Sequence, residues 1–468
     1  MRRRIGIAAA LCAATCCLLS AARAQLDQRQ GERFGVIGGP EYRADADDLG
    51  AGWQQITFEW AAFQPDGPDD FVVEAIDPGW LRAALADGRE IVGRITSTPA
   101  WASASGDPAA VPDGLNLPID DAGNVWAAFV SRLVAEFAPR GVHRWVIYDE
   151  PDVRLGEGDL QFAGDVEAYA RLVKVAYLAA REAHPRARIH LAAMNWWADS
   201  AAGREPYLAR LVPALLGDAE ADGAPYFDAV TVRATNSTAA VWNTLAAVRQ
   251  ILEQHGLEDM PVWLEMNASP TLDADNSTAQ PAFSITPAQQ ADFVVQAAAL
   301  GLAGGVERVA VVRWVDGDAE GEPWGLVRAD GSRRPAFDAY QTVIDLFDAT
   351  QSAERYENLF AELVVLEQAG RSVYVMWARG SNAVEFIVTS GAVGERAALY
   401  TAQGSERPLI SQALEWPAAF TVSAPAAGRD TNGFLTVAGS PSIAVFDATD
   451  DFFRVVYVIV DGERYRLK

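Results

Sequence analysis

The chain has 468 residues, enough for one large domain and a smaller one, and its formal net charge is −25 at pH 7. A field of that sign repels phosphate backbones, so we expect no nucleic-acid partner. The 3 cysteines, Cys12, Cys16 and Cys17, lie near the amino terminus. The rest of the chain therefore has no residue for a disulfide or a thiolate metal site.

The first residues have the pattern of an export signal. Arg2, Arg3 and Arg4 precede an apolar stretch, 5–19, and small residues surround Ala24, which predicts cleavage near that residue. We expect residues 1–24 to be the signal, 25–33 a polar leader, and the protein to be secreted to the extracellular space or the periplasm. A retained anchor is the alternative, although a membrane span needs about 20 apolar residues. No other segment is apolar enough to cross a bilayer.

From residue 34 to 350, short apolar runs alternate with longer segments of helical period. The runs that predict strands are 34–38, 53–60, 90–96, 143–148, 188–194, 227–234, 261–265 and 308–315. The segments that predict helices include 124–139, 165–184, 237–255, 286–302 and 334–348. Asp165 is a predicted helix N-cap, and Thr286 followed by Pro287 is another.

This alternation predicts an α/β fold, a (β/α)8 (TIM) barrel over 34–350. An open doubly wound sheet is the runner-up, but Gly38-Gly39-Pro40 after the first strand is no GxGxxG phosphate loop. Beyond residue 350 the pattern changes to short runs separated by Gly, Asn, Asp and Pro, which predicts an antiparallel β-sandwich over 351–468. Its expected strands are 362–366, 372–377, 384–389, 397–400, 419–422, 434–437, 442–446 and 454–459.

Two glutamates fall where barrels of this kind carry reactive groups, at the carboxyl ends of strands. Glu150 closes the predicted fourth strand and Glu265 the predicted seventh. Strands four and seven face each other across a barrel mouth, so the two carboxyl groups are expected to converge over one ligand. A pair of this kind suits cleavage of a glycosidic bond, in which one carboxyl group donates a proton and the other attacks. Taken singly, each Glu is equally compatible with an ion-paired or solvated residue.

The order of several segments resembles the retaining glycoside hydrolase clan of (β/α)8 barrels, which pairs glutamates on strands four and seven. The segments are 49–53 (LGAGW), 58–60 (FEW), 98–101 (TPAW), 145–152 (WVIYDEPD), 261–265 (PVWLE) and 324–332 (WGLVRADGS), and the trailing sandwich is also similar. The resemblance implies Glu150 as general acid/base, Glu265 as nucleophile, a carbohydrate substrate and no cofactor. Hydrolysis and transglycosylation differ only in the acceptor and stay open.

Four features depart from the pattern of the clan. Asp149 replaces the Asn that usually binds a sugar hydroxyl, and Arg233 and Thr235 stand where strand six often has His and Tyr. On strand seven, Glu265 follows Trp263 by two residues, where three is common in relatives. These departures leave a second hypothesis, from another class: a catalytically inactive barrel that binds glycans, secreted or at the cell surface.

The expected substrate-binding residues are polar or aromatic and fall at strand ends: Asp149, Trp314, Trp60, Trp101, Asn195, Trp196 and Arg233. Each tryptophan among them is also compatible with the core, where most such side chains lie. No His, Cys or Asp cluster has the spacing of metal ligands, so no metal is expected. The sugar, the linkage, endo or exo action and the oligomeric state stay open.

Overall fold

The structure is a computed structural model that describes residues 32–38, 43–217, 225–273, 283–316, 323–390, 397–409, 418–429, 433, 435–446 and 456–467. The proposed export signal lies outside these residues, as does most of the proposed leader. No helix in the described part is long and apolar enough to cross a membrane.

Eight parallel strands form the barrel, as the sequence predicted. They are β1 (Phe34–Ile37), β2 (Trp53–Glu59), β3 (Glu90–Thr96), β4 (Arg144–Ile147), β5 (Arg188–Leu191), β6 (Val230–Thr235), β7 (Val262–Asn267) and β8 (Arg308–Val312). Their hydrogen-bonded order is β5-β4-β3-β2-β1-β8-β7-β6. Isolated bridges such as His190 to Ala229 and Met194 to Val232 close the seam between β5 and β6. The (β/α)8 prediction is therefore confirmed, and the open sheet is excluded.

Two strand ends differ from the prediction. Strand β4 ends at Ile147, because Tyr148 has a left-handed φ of 63° and takes the chain out of the sheet. Glu150 thus lies in the loop that follows the strand instead of closing it. Strand β7 continues for two residues beyond Glu265 to Asn267, so Glu265 is held in the ladder.

Helices surround the barrel: α1 (Arg43–Leu49), α2 (Trp60–Phe63), α3 (Pro78–Ala86), α4 (Val125–Phe137), α5 (Val166–Ala183), α6 (Trp197–Ala201), α7 (Tyr207–Leu216), α8 (Thr238–Gln254), α9 (Pro287–Ala303) and α10 (Pro335–Phe347). The caps expected from the sequence are present. Asp165 accepts from the backbone of Ala168 ahead of α5, and Thr286 forms a reciprocal capping box with Gln289 ahead of α9.

Large side chains fill the amino-terminal half of the barrel interior. Trp53, the first residue of β2, packs against Trp263, near the start of β7, with ring centroids 4.9 Å apart. The ring of His190 meets Trp263 edge-on at 4.4 Å. This filled base leaves the opposite end, where the strands finish, as the accessible mouth.

After α10, ten strands form two antiparallel sheets. The strands are β9 (Ser352–Glu357), β10 (Ala361–Gln368), β11 (Arg371–Ala378), β12 (Val384–Ser390), β13 (Ala397–Thr401), β14 (Glu406–Pro408), β15 (Ala418–Ala424), β16 (Ser442–Phe446), β17 (Val456–Val460) and β18 (Glu463–Arg466). One sheet has the order β14-β13-β16-β11-β10-β9 and the other β15-β12-β17-β18. Buried apolar residues from both sheets form one core cluster, so the β-sandwich prediction is also confirmed.

One predicted strand is wrong in the described residues. Residues 435–437 of the expected strand 434–437 form no ladder, and residue 434 lies outside the described part. The backbone of this segment hydrogen-bonds to the barrel instead of to a strand: the Thr436 carbonyl accepts from the backbone N–H of Thr238. The sequence analysis also missed β9, β14 and β18.

Helix α9 holds the sandwich against the barrel. The Gln296 side chain donates to the Gly439 carbonyl at 2.8 Å, and the Ser440 hydroxyl donates to Asp292 at 2.6 Å. Both side chains on the helix, Gln296 and Asp292, are buried. Because a buried polar group without its partner costs about 1–3 kcal/mol, these bonds fix one arrangement of the two parts.

Candidate active site at the barrel mouth

Strained backbone marks the carboxyl ends of the barrel strands. Positive φ values at six non-glycine residues lie in the loops after β3, β4, β5, β6 and β8: Ser97, Tyr148, Glu150, Trp196, Asn236 and Arg313. Such a conformation brings the side chain close to the backbone and is disfavoured for L-residues. Strain of this kind persists where the surroundings hold it, and it is concentrated at functional sites.

Arg233 of β6 lies at the centre of the mouth. In the sheet it is the register partner of Glu265 on β7. Its Nη2 and Nε donate to Glu265 Oε2 at 2.6 and 3.0 Å. Its Nη1 donates to Glu150 Oε1 at 2.5 Å. One guanidinium therefore binds both candidate catalytic carboxylates, which must lie within roughly 7 Å of each other, the span of one guanidinium and two hydrogen bonds.

Asp149 and Arg94 extend this cluster. Asp149 accepts from Arg233 Nη2 at 3.0 Å and from Arg94 Nη1 at 2.6 Å. Arg94, on β3, also donates to the Thr57 hydroxyl of β2 at 3.0 Å. Three carboxylates thus face two guanidiniums in the charge cluster, by which we mean Arg94, Asp149, Glu150, Arg233 and Glu265.

Burial and pairing shift these groups in opposite directions. Burial raises the pKa of Glu265 above its ordinary value, and Arg233 opposes that shift. Burial acts in the same sense on Asp149, but Arg233 and Arg94 together outweigh it and leave the pKa of that carboxyl lowered. For Arg233 the balance is the reverse: burial lowers the pKa of its guanidinium, but the three carboxylates Asp149, Glu265 and Glu150 hold that pKa well above the usual range. Arg233 is therefore always charged.

The loop after β5 supports Glu150. The Glu150 backbone N–H donates to the Ala193 carbonyl at 3.1 Å, and the Asn195 side-chain amide donates to Glu150 Oε1 at 3.1 Å. Asp152 fixes that loop, because its Oδ2 accepts from the backbone N–H groups of Asn195 and Trp196 at 2.8 and 3.0 Å. Burial raises the pKa of Asp152 to about 6, against those two hydrogen bonds.

The predicted aromatic residues have different positions. Trp60 and Trp314 have no exposed surface, so neither ring presents a face to a sugar in this conformation. Trp101 is half-buried, and its indole N–H donates to the Gln64 carbonyl at 2.7 Å. Trp196 is half-buried beside Asn195, and the next residue, Trp197, is 51% exposed. The aromatic surface available near the mouth is therefore in the loop after β5.

Five residues that the sequence predicted for the site lie together in the structure: Asp149, Glu150, Asn195, Arg233 and Glu265. The sequence analysis missed Arg94 and Asp152. Arg94 carried a usable signal, since it is a charged residue inside an apolar strand, two positions before the strand ends. Asp152 carried none, because its contacts depend on the course of two loops. Among the described residues, no group of three His, Cys, Asp or Glu side chains is arranged to hold a metal ion.

Several solved structures with the same fold are glycoside hydrolases. A family 39 glycoside hydrolase from Bacteroides cellulosilyticus superposes with a TM-score of 0.62 at 16% identity, covering 89% of this chain and 82% of the other. A family 30 subfamily 8 xylanase from Clostridium acetobutylicum gives 0.57 at 11% identity, with 89% and 96% covered. A family 51 α-L-arabinofuranosidase from Bifidobacterium longum gives 0.52 at 15%, with 88% and 91% covered.

No family model matches the sequence, and no curated protein does. The likeness is thus one of fold at low sequence identity. It confirms the resemblance to the glycoside hydrolase clan of (β/α)8 barrels and identifies the chain as a divergent protein with that fold.

Proposed function

We propose that the protein is a glycosidase that cleaves O-glycosyl bonds of an oligo- or polysaccharide with retention of configuration, without a cofactor. The observation that carries the proposal is that Glu150 and Glu265 bind one guanidinium at the barrel mouth. The separation this allows, up to roughly 7 Å, includes the about 5–5.5 Å of retaining enzymes. The catalytic domain is 34–350, and the signal 1–24 directs export.

Glu265 suits the role of nucleophile. Its side chain is 2% exposed and accepts two hydrogen bonds from Arg233. These bonds oppose the rise in its pKa that burial causes, and they fix the direction of attack. Glu150 suits the role of acid/base, since it is 19% exposed and lies in a loop where a leaving group arrives from solvent. Asn195 holds its carboxyl group in place. The acid must be protonated while the nucleophile is ionised, so the pH–rate profile is expected to be bell-shaped.

Two carboxamide variants test these roles. Glu265→Gln is expected to abolish turnover of every glycoside, by about 10⁴-fold or more, because a neutral amide replaces the nucleophilic carboxylate. Glu150→Gln is expected to retain the first step on dinitrophenyl glycosides, whose leaving group needs no proton, and to lose activity on unactivated oligosaccharides. Glu182→Gln is the control, since Glu182 is exposed at the far end of α5.

The measurement is sugar release from a panel of aryl glycosides and polysaccharides, with proton NMR of the anomeric centre of the first product. Full activity of Glu265→Gln would remove Glu265 from the mechanism. A product of inverted configuration would contradict retention even if both glutamates were essential. Transfer of the sugar to an added alcohol would show transglycosylation at the same site.

The position of Arg233 favours a second candidate, a catalytically inactive barrel that binds glycans. The guanidinium is hydrogen-bonded to both glutamates at once, whereas in hydrolysis one carboxyl group must donate a proton to the leaving group and the other must attack the sugar. It also occupies space between the two carboxyl groups. Polysaccharide binding by the wild-type protein without any released sugar would favour this candidate over the hydrolase.

A further inference from the structure

A second cavity lies between the barrel and the sandwich, on the outside of the barrel. Its volume is about 160 Å³. Helix α8 contributes Ala239, Trp242 and Asn243, and the sandwich side contributes Arg355, Glu362, Arg379 and Thr436, with other residues of the 435–438 segment. We call this cavity the barrel–sandwich pocket. Ala239 and Asn243 are exposed at its rim, so it opens to solvent.

Hydrogen bonds between the two parts of the protein fix the walls of the pocket. The Thr238 backbone N–H donates to the Thr436 carbonyl at 3.1 Å. The Ala438 N–H donates to the Thr238 hydroxyl at 3.2 Å, and that hydroxyl donates to the Gln296 side chain at 2.6 Å. The pocket is therefore pre-formed, which lowers the cost of ordering a ligand in it.

The charges on the sandwich side balance. Arg355 pairs with Glu362 and, at 2.7 Å, with Glu357. Arg379 also pairs with Glu357, and its Nε lies 3.8 Å from Glu362. Two guanidiniums thus face two carboxylates, so the wall offers donors and acceptors without a net charge. That pattern suits hydroxyl groups better than a carboxylate or a phosphate.

An aromatic face and an unmatched hydroxyl complete the pocket. The Arg355 guanidinium carbon lies 4.3 Å from the centroid of the half-buried Trp242 ring, which holds the indole in place. Thr436 is 7% exposed, and its hydroxyl has no hydrogen-bond partner among the described residues. A buried hydroxyl without a partner costs free energy that a bound ligand recovers.

We propose that the barrel–sandwich pocket binds one ring of a neutral polysaccharide, separately from the site at the barrel mouth. An apolar cavity of about 150 Å³ holds one benzene ring. The pocket has a similar volume and opens to solvent, so it suits one face of a single pyranose unit whose other hydroxyls stay in water. The C–H face of that sugar lies against Trp242, and its hydroxyls meet Thr436 and Asn243. This inference rests on the proposed action on carbohydrate, since it would hold a long chain while the mouth engages another part of it.

The test uses affinity electrophoresis of the full chain in gels that contain arabinoxylan, xyloglucan or mixed-linkage β-glucan, with the acidic polysaccharide polygalacturonate for comparison. A Glu265→Gln background keeps the polysaccharide intact. Ala239→Trp fills the pocket from its rim and is expected to lower the apparent affinity at least tenfold. Gln250→Trp is the matched control, because it places the same ring at an exposed position of α8 outside the pocket. Thr436→Val removes only the hydroxyl, and a threefold or larger loss is expected.

Equal retardation of Ala239→Trp and Gln250→Trp would overturn the proposal. So would the absence of retardation by all three neutral polysaccharides, or retardation by polygalacturonate alone. Cleavage of aryl glycosides is measured separately in the wild-type background, where Ala239→Trp is expected to leave the rate unchanged. If no glycoside is cleaved but the pocket variants still lose binding, the proposed hydrolysis fails while the pocket stands.

Discussion

Removing Arg233 should destabilise the protein by an amount that depends strongly on pH. Among the described residues, Arg233 is the guanidinium that binds Glu150 and Glu265, while Arg94 pairs with Asp149 and with neither glutamate. In Arg233→Gln, both glutamates lose their cation, and Glu265 stays buried at 2% exposure. Loss of one partner of a buried ion pair costs about 3–5 kcal/mol, which is the expected decrease in the free energy of unfolding at pH 7.5.

The sign of the pH dependence follows from the charges left behind. Burial already raises the pKa of Glu265 above its ordinary value of 4.5, and without Arg233, which opposes that rise, it goes higher still. Stability linked to a raised carboxyl pKa is fully present below the unfolded value and is lost as the pH rises through the folded one. At pH 4.5 the variant takes up protons in place of the cation, so the loss should shrink to about 1–2 kcal/mol, the cost of missing hydrogen bonds.

The assay is urea unfolding followed by tryptophan fluorescence at pH 4.5, 6.0 and 7.5, with wild type and variant side by side. Arg333→Gln is the control, because Arg333 pairs with Asp45 and Asp48 on the surface, where such pairs contribute about 0–1 kcal/mol. An Arg233→Gln loss that is the same at pH 4.5 and 7.5, or below about 1 kcal/mol at pH 7.5, would refute the reasoning on the charge cluster.

Three further substitutions have expected outcomes in the same assay. Burial raises the pKa of Asp292 to about 6, so the free energy of unfolding of the wild type should fall between pH 4 and 6. Asp292→Asn should remove that fall and be more stable than the wild type by about 1–2 kcal/mol at pH 8. Equal stability at pH 8 would mean that ionisation of Asp292 costs nothing. Gly93→Ala places a Cβ against Trp145 and should lower the free energy of unfolding by about 1–3 kcal/mol. An unchanged urea midpoint would mean that the indole shifts to make room at no cost. Asp165→Ala removes the cap of α5 and should cost about 1 kcal/mol, while Asp165→Asn should cost much less.

The fold was predictable because local signals agree with it. Apolar runs of strand length alternated with segments of helical period, and buried parallel strands are expected to be apolar on both faces. Helix starts were predictable from single residues, since Asp165 and Thr286 satisfy backbone donors through their own side chains. Strand 434–437 failed because its composition suits a strand but its backbone bonds to a helix of the barrel.

The sequence predicted most residues of the candidate site, but not the hydrogen bonds and ion pairs between them. Glu150 and Glu265 followed from their positions at strand ends. The bond from Arg233 to Glu265 depends on the register between β6 and β7, which one sequence does not specify. The left-handed φ of Tyr148 and Glu150 runs against the preference of both residues and is imposed by tertiary contacts. Whether Trp60 and Trp314 are buried depends equally on their neighbours.

The seam between β5 and β6 has a consequence for how the mouth opens. Those two strands meet through isolated bridges, whereas the neighbouring strands share continuous ladders. Arg233 belongs to β6, and its partners Asp149 and Glu150 belong to the loop after β4, on the other bank of that seam. These ion pairs therefore connect the two sides of the barrel where the hydrogen bonding between neighbouring strands is weakest. Widening of the seam would move Arg233 away from Glu150, while Arg233 would stay beside Glu265 on the neighbouring strand. The same movement would therefore break the contact between Arg233 and Glu150 and free Glu150 as a proton donor.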